Sequence, residues 1–325
     1  MKFAVVGAGA IGGYLGARLA LAGHDVTFIA RGANLEAIKA RGFTLIAEDG
    51  TREIAASAKA SAIQDAGPCD VVLLAVKAQQ VAGLAPELRR LFAGDTIVVT
   101  LQNGVPWWFF HQFGGAFEGR IIEAVDPGGT IGRSIENERV IGTVVYPAST
   151  LVSPGVVKVI EGNRFTLGEA GGAKSPRILA LSQALTEAQF KAPVSSDIRS
   201  EIWLKLMGNV VFNPISALSR ATLVEICRYA PTRALAAAMM TEAQSIAEKL
   251  GLRIRISIDK RIAGAEAVGA HKTSMLQDLE AGRPLELDAL VGSLVELAQM
   301  TATPIPATEA IFAATSLLDR TMRKP

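Results

Sequence analysis

The glycine-rich stretch Gly7-Ala-Gly-Ala-Ile-Gly12 constrains the fold of this chain most, because a strand-like apolar run precedes it and a helical pattern follows it. In that order, the glycines allow a tight turn and let the backbone approach a pyrophosphate at the N-terminus of the helix. Gly16, one helical turn later, leaves room for the helix to pack closely on a sheet. The pattern predicts a Rossmann-type domain with a dinucleotide bound by Gly7, Ala8, Gly9, Ala10, Ile11 and Gly12.

The first hundred residues alternate short apolar runs with helical patterns, which is typical of a parallel sheet with crossover helices. We predict strands at residues 2–6, 25–30, 70–76 and 96–101. Residues 42–54 interrupt this alternation and are typical of a β-hairpin, since Asp49-Gly50 suits a tight turn. Three further β-rich runs, 139–146, 156–160 and 164–168, are predicted to extend the same sheet. The predicted fold of this part is α/β, with a doubly wound sheet.

The second part of the chain has a helical pattern almost throughout. Residues 176–190 are predicted to form one more amphipathic helix of the first part, followed by a linker at 191–196 and by Asp197, a suitable N-cap. We therefore predict a Rossmann-type cofactor-binding domain at 1–196 and an all-α substrate and catalytic domain at 197–325. Pro214 is predicted to end or kink the first helix of the second domain just after Asn213, because proline has no N–H to bond to Val210.

Composition excludes several classes of function. The 325 residues are 50% hydrophobic and carry a net charge of +2, which gives no electrostatic argument for nucleic acid or an anionic membrane as a partner. Cys69 and Cys227 form no ligand cluster, and the three histidines are not spaced for metal or triad chemistry, so no metal is predicted. No apolar run approaches the ~20 residues of a membrane span. We expect a cytoplasmic protein.

Arg31 follows the second predicted strand, at the position where an enzyme specific for NAD carries an acid for the ribose hydroxyls. A guanidinium there is placed to form charge-assisted bonds with a 2′-phosphate. The position favours NADP(H) as the cofactor, and the alternative is a solvated loop arginine.

Polar residues follow other strands of the predicted sheet as well. Lys77 comes after the run 71–76, and Asn103 comes shortly after the run 96–101. Ligands of open α/β sheets bind beyond the carboxyl ends of the strands, so Gly7, Arg31, Lys77 and Asn103 are expected on the rim that holds the dinucleotide.

Lys205, Asn209 and Asn213 recur every four residues in a helix whose other positions are almost all apolar. A spacing of four turns a helix by only ~40°, so the three side chains share one narrow face. A ketone gains negative charge on oxygen as it is reduced, and an ammonium can polarise that oxygen and then donate a proton. We predict that Lys205 does so across an interdomain cleft while the two asparagines orient the substrate. The alternative is a snorkelling lysine beside two asparagines of the core.

The whole chain resembles the ketopantoate reductase (2-dehydropantoate 2-reductase) family. The resemblance rests on four motifs in the family's order: Gly7-Ala-Gly-Ala-Ile-Gly12, Gln102-Asn-Gly104, the run from Trp203 through Lys205, Asn209 and Asn213 to Pro214, and Ser274-Met-Leu-Gln-Asp278. The last two are far more specific than the glycine motif.

The resemblance implies roles for individual residues. Lys205 would be the proton donor, and substrate would be bound by Asn103, Asn209, Asn213 and Ser274. Arg31, Lys77, Asn103, Ala148 and Glu286 match positions near the cofactor. From the residues alone, a helix cap is the favoured interpretation of Ser274 and a solvated acid that of Glu286. The implied reaction is the NADPH-dependent reduction of 2-dehydropantoate to pantoate in pantothenate and coenzyme A biosynthesis.

The chain departs from the family pattern after Gly104, where four consecutive aromatic residues occur at Trp107–Phe110. These residues either reshape the substrate pocket or anchor a buried loop. The first alternative leaves open another branched or aromatic 2-keto acid as substrate. A noncatalytic NADP-sensing protein is a third hypothesis, and a homodimer formed through the helical domain is left open.

Overall fold

The computed structural model describes residues 1–323, which form two compact units. The first unit comprises residues 1–102, 106–121 and 128–198, and the second comprises 103–105, 122–127 and the chain from Arg199 onward. The main division lies after Ile198, whereas the sequence places it after Ser196. The sequence predicted a single boundary, so it did not assign the short segments 103–105 and 122–127 to the second unit.

Eleven strands and five helices belong to the first unit. The strands are β1 (Lys2–Val6), β2 (Asp25–Ile29), β3 (Phe43–Ile46), β4 (Arg52–Ala55), β5 (Lys59–Ser61), β6 (Cys69–Leu74), β7 (Phe92–Thr100), β8 (Val140–Val145), β9 (Ala148–Ser153), β10 (Val156–Glu161) and β11 (Phe165–Gly168). The helices are α1 (Ala10–Leu21), α2 (Gly32–Arg41), α3 (Ala78–Leu88), α4 (Thr130–Ser134) and α5 (Pro176–Glu187). Short 3₁₀ turns lie at Ile63–Asp65, Arg89–Leu91, Gly115–Phe117, Pro127–Gly129 and Asn137–Arg139.

A seven-stranded sheet in the order β11-β8-β7-β6-β1-β2-β5 forms the centre of the first unit. All neighbouring strands are parallel except β11 and β8, which are antiparallel. Consecutive residues of the central strands, 3–6 of β1 and 71–74 of β6, are all buried, so both faces of the sheet are covered. Continuous apolar strands of this kind are typical of a parallel sheet covered on both faces, so the predicted α/β fold is confirmed.

The glycines of α1 allow the helix to lie against the sheet. A Cβ on Gly16 would stand 2.4 Å from the Phe28 ring, and a Cβ on Gly12 would stand 2.0 Å from the Gly7 carbonyl oxygen. Neither position has space for a side chain, which confirms the close packing expected at Gly16.

One sheet prediction is wrong. The predicted hairpin at 42–54 forms as β3 and β4, but the run 156–160 does not extend the main sheet. It becomes β10 of a second sheet in the order β4-β3-β10-β9, where β10 is parallel to β3 and antiparallel to β9. A two-residue alternation marks a strand with one exposed face but does not encode which strand it pairs with.

The described residues of the second unit form helices, turns and loops only, as predicted. Its helices are α6 (Ile198–Ser219), α7 (Leu223–Arg228), α8 (Ala230–Lys249), α9 (Ile258–Ala267), α10 (Ser274–Glu280), α11 (Ser293–Met300) and α12 (Pro306–Met322). A π-helical turn at Asp288–Gly292 directly precedes α11. α8 packs against α7, α9, α11 and α12.

Helix α6 continues through Pro214 to Ser219, so the helix does not end after Asn213, and the alternative of a kink at that point stays a prediction. Residues 210–217 are all buried. Proline removes one backbone hydrogen bond, and the burial of the apolar residues on both sides of it offsets that loss. Among residues 1–323, no helix combines the length and apolar character needed to cross a membrane.

Candidate active site

A groove of about 510 Å³ lies at the carboxyl ends of β1, β2 and β6 in the first unit. Its lining residues include Gly7, Ala8, Gly9 and Arg31 of the predicted cofactor residues, together with Asn34, Gln64, Gln80 and Glu87. A Cβ built on Gly9 meets no atom within 4 Å, and Gly7 has a φ of +107° that favours glycine. The loop is therefore open toward the groove, which fits the pyrophosphate of a dinucleotide.

Ala10, Ile11 and Gly12 form the first turn of α1 rather than a wall of the groove. Gly12 is buried, and a Cβ there would overlap the Gly7 carbonyl oxygen, so only glycine fits behind the glycine loop. A cofactor role for these three residues stays a prediction.

Arg31 is exposed and lies directly before α2, at the mouth of the groove. Within the described chain no side chain caps the N-terminus of α2, and its first turn carries no acid. The N–H groups of that turn and the guanidinium together favour an anion.

Asn34 is a residue whose role the sequence did not reveal. Its Nδ2 donates to the Ala8 carbonyl at 3.2 Å, and its Oδ1 accepts from the Gly155 N–H at 3.0 Å. The side chain thus holds the glycine loop in place. An amide in the first turn of the helix that follows Arg31 is the only signal the sequence offered.

The end of β6 is held by side-chain hydrogen bonds. Gln102 Nε2 donates to the carbonyls of Leu74 at 2.7 Å and Val76 at 2.9 Å, and the Lys77 N–H donates to Gln80 Oε1 at 3.2 Å. Lys77 lies next to the groove-lining Val76 without being part of the lining itself. Ala148 begins β9 of the second sheet, where it pairs with Glu161, and it does not line the groove either.

Lys205 lies on α6 in the second unit, partly buried, and its Nζ donates to Asn103 Oδ1 at 2.6 Å. Burial lowers the pKa of Lys205 to about 8, and the negative charge of Glu286 opposes that shift. An ammonium with a pKa near neutrality can both hold a proton at working pH and release it. Asn103, Lys205 and Glu286 are far apart in sequence and are brought together by the fold of this unit.

Asn209 and Asn213 continue the polar face of α6. Asn213 is 5% exposed, and its Nδ2 finds no hydrogen-bond acceptor within residues 1–323. A buried amide without an acceptor costs about 1–3 kcal/mol. A ligand oxygen bound beside this helix face would satisfy it.

Ser274 is the first residue of α10 and is exposed. The helix is capped by Thr273, whose Oγ1 accepts from the Leu276 N–H at 3.3 Å. The alternative that Ser274 serves as the helix cap is therefore wrong, and its hydroxyl is not used for that purpose. Glu286 is partly buried and acts on the pKa of Lys205, so it is more than a solvated acid.

The aromatic run at Trp107–Phe110 belongs to the core of the first unit, with every side chain at most 8% exposed. Trp108 Nε1 donates to Thr100 Oγ1 and Trp107 Nε1 to Asn137 Oδ1, both at 3.2 Å. Phe109 and Phe110 pack edge to face with ring centroids 5.3 Å apart. Core packing, the second of the two alternatives, is confirmed.

No group of three or more histidine, cysteine or acidic side chains suited to a metal occurs between Met1 and Arg323. Cys69 and Cys227 are both buried thiols, and burial raises the pKa of each.

Comparison with known families identifies the kind of protein. The model described as "Ketopantoate reductase PanE/ApbA" matches residues 3–172, and "Ketopantoate reductase PanE/ApbA C terminal" matches residues 197–319. The chain belongs to the ketopantoate reductase family. It is thus an oxidoreductase of the class that acts on a CH–OH group, in a family that depends on a pyridine nucleotide.

Individual relatives agree with this assignment. A 2-dehydropantoate 2-reductase from Mesorhizobium japonicum is 51% identical over 314 residues, which are 96% of each chain. The crystal structure of a candidate ketopantoate reductase from Ralstonia solanacearum MolK2 matches with a TM-score of 0.94 and 39% identity over 98% of each chain. A D-mandelate dehydrogenase solved with NADH and anilino(oxo)acetate matches over the full length of both chains with a TM-score of 0.84, but its 21% identity shows the fold alone.

Proposed function

We propose that the protein reduces 2-dehydropantoate to pantoate with NADPH, in the cytoplasmic route to pantothenate and coenzyme A. The observation that carries the proposal is the environment of Lys205 on α6. Burial lowers the pKa of its ammonium to about 8, and Asn103 accepts a hydrogen bond from its Nζ. The same face of α6 carries Asn209 and Asn213. The relative from Mesorhizobium japonicum, named for this reaction, supports the choice of substrate.

Lys205 performs the proton chemistry in this proposal. When bound, NADPH supplies a hydride to the keto carbon. The Lys205 ammonium polarises the keto oxygen and gives it a proton, and the product is the alcohol. Asn103 accepts a hydrogen bond from Nζ and directs the remaining N–H bonds of the ammonium toward the substrate. Glu286 keeps Lys205 protonated by opposing the effect of burial.

The substrate is a small anion with several oxygen atoms, and the polar side chains of the second unit match it. Asn213 brings a buried N–H group that has no acceptor in residues 1–323, and Asn209 lies one turn away on the same face. Ser274 offers an exposed hydroxyl that the helix cap does not use. We assign these three side chains to the carboxylate and hydroxyl oxygens of the substrate.

The preference for NADPH rests on Arg31 and the N-terminus of α2. Both favour a phosphate, and no acid of that first turn is available for the ribose hydroxyls of NADH. The glycine loop would hold the pyrophosphate, with Lys77, Asn103, Ala148 and Glu286 as further cofactor contacts.

The test is Lys205→Ala, assayed by NADPH oxidation in the presence of 2-dehydropantoate. We expect turnover to fall by at least ~100-fold, the range typical for loss of a positioned acid. NADPH binding, measured by fluorescence, should remain. Lys260→Ala, which removes an exposed lysine of α9, is the matched control and should behave like the wild type. Near-normal turnover of purified, folded Lys205→Ala would refute the assignment.

A further inference from the structure

Asn103, the acceptor for Lys205, lies on a three-residue segment that belongs to the second unit although both of its flanking stretches belong to the first. The side chain of Asn103 can hold Lys205 only if the backbone of this segment is fixed. Residues on either side of Asn103 therefore bear on the geometry of the proton donor.

Gly104 permits a very close approach between this segment and the residues that precede α11. Its φ is +92°, a conformation that favours glycine. A Cβ at this position would stand 2.0 Å from the Ala289 carbonyl oxygen and 2.6 Å from the Ala289 carbonyl carbon. These are backbone atoms, so no side-chain rotation could relieve the overlap.

The Ala289 carbonyl is available for this contact because it lies in the π-helical turn Asp288–Gly292. In an α-helix the Ser293 N–H would donate to Ala289, four residues earlier. Here it donates to Asp288, five residues earlier. The Ala289 oxygen instead accepts from the Val105 N–H at 3.0 Å and from the Ser293 hydroxyl at 2.8 Å.

We propose that Gly104 and the π-helical turn form a positioning device for the proton donor. The turn frees the Ala289 carbonyl, the carbonyl anchors Val105, and Gly104 lets the backbone come close enough for Asn103 to hold the Lys205 ammonium. Gly104 and Ser293 are positioning residues that act through Asn103. This inference rests on the proposed role of Lys205 in the reduction.

The device has a measurable consequence for catalysis. A displacement of about 1 Å in a catalytic group can lower the rate by ~100-fold. A Cβ at Gly104 must displace the segment, so we expect Gly104→Ala to lower kcat/KM by about 10- to 100-fold. Deprotonation of Lys205 should make kcat/KM decline at high pH, which gives the pH–rate profile a descending limb. Loss of the Asn103 acceptor destabilises the charged form of Lys205, so its pKa falls and this limb moves to lower pH.

The experiment is a double-mutant cycle on the full-length protein with Asn103→Ala, Gly104→Ala and the double variant, each assayed for kcat/KM across pH. If Gly104 acts through Asn103, the effects on the logarithm of kcat/KM are not additive, and the double variant resembles Asn103→Ala. NADPH binding and the thermal midpoint check that each variant is folded. Additive losses, or a descending limb that stays in place in Gly104→Ala, would overturn the proposal.

Gly251→Ala is the matched control, since Gly251 also belongs to the second unit and has a positive φ of +73°, but a Cβ there would meet no atom within 4 Å. It carries the same backbone strain without the clash and should keep the wild-type pH profile. If Gly104→Ala does not fold, Ser293→Ala replaces it, because it removes one hydrogen bond to the Ala289 carbonyl. The descending limb should then lie at lower pH in Ser293→Ala and at its wild-type position in Ser293→Thr, which keeps a hydroxyl. A limb that does not move in Ser293→Ala contradicts the proposal.

The two hypotheses fail in different ways. If Lys205→Ala keeps its turnover, the proposed role of Lys205 as proton donor is wrong, and the positioning device loses its basis with it. If Lys205→Ala is inactive while the Gly104 and Asn103 effects are additive, only the positioning device is wrong.

Discussion

At Lys205, burial and the charge of Glu286 act in opposite directions on the pKa of the ammonium, which stands at about 8. The proton donor must be charged before it acts, so its active fraction falls as the pH rises through this value. We predict that kcat/KM for reduction is highest below pH 8 and declines above it. A profile measured from pH 6 to 10 with saturating NADPH would show the decline.

Replacing Glu286 with glutamine separates the effect of its charge on the pKa of Lys205 from the effect of burial. Without the carboxylate, the opposing attraction is lost and the pKa of Lys205 falls further, so the descending limb should move to lower pH. Glu280→Gln provides the control, because Glu280 is an exposed acid paired with Lys272. A limb that moves equally in both variants would show that overall charge, rather than Glu286, sets the position.

Arg31 allows a direct test of cofactor choice. Arg31→Asp removes a guanidinium from the groove and places a carboxylate there, which would repel a 2′-phosphate and accept from ribose hydroxyls. We expect the KM for NADPH to rise by about 10- to 100-fold, the equivalent of one lost charge-assisted bond. Lys39→Asp changes the charge of the same helix equally and should leave the NADPH/NADH ratio near the wild type.

At the level of single residues, the sequence predicted the polar face of α6 because a spacing of four is a local property of one helix. It did not predict the bond from Lys205 to Asn103, which joins residues 102 positions apart. Gly104 illustrates the same limit. A glycine after Asn103 was visible in the chain, but the carbonyl that requires it lies in a π-helical turn that no periodicity marks.

Among the secondary-structure elements, α1 shows how a glycine serves packing. Gly16→Ala gains about 1 kcal/mol of helix propensity but forces a Cβ to within 2.4 Å of the buried Phe28 ring. Overpacking costs about 1–3 kcal/mol, and this contact is at the severe end. We therefore predict that the free energy of unfolding falls by ~1–2 kcal/mol in denaturant titrations.

The matched variant is Gly83→Ala in α3. Gly83 is exposed, and its Cβ would meet nothing within 4 Å, so only the propensity changes. The free energy of unfolding should rise by about 0.5–1 kcal/mol. If Gly16→Ala also stabilises the protein, the close packing of α1 on the sheet is not the reason for that glycine.

At two elements the structure differs from what the sequence predicted, wholly at residues 156–160 and in part at Pro214. The run 156–160 was a strand as expected, but its pairing with β3 and β9 depends on contacts between distant segments. Pro214 has a local cost that ends most helices, and the burial of residues 210–217 outweighs it here. In both cases the local pattern was correct and the tertiary environment decided the outcome.

For the whole molecule, alternation of strands and helices followed by helical periodicity was enough to predict the fold of each unit. The aromatic run Trp107–Phe110 left two alternatives, a pocket wall and a buried loop anchor, of which the sequence favoured packing in the core. Its burial in the first unit removes the observation that favoured an aromatic substrate.

The central claim is that the protein is an NADPH-dependent reductase of 2-dehydropantoate with Lys205 as proton donor. Its most direct test is kcat/KM with NADPH for a panel of 2-keto acids, branched and aromatic, measured for the wild type and for Lys205→Ala. We predict the highest kcat/KM for 2-dehydropantoate and the loss of turnover on every substrate in the variant. A higher kcat/KM for another 2-keto acid, or turnover that persists without Lys205, would contradict the claim.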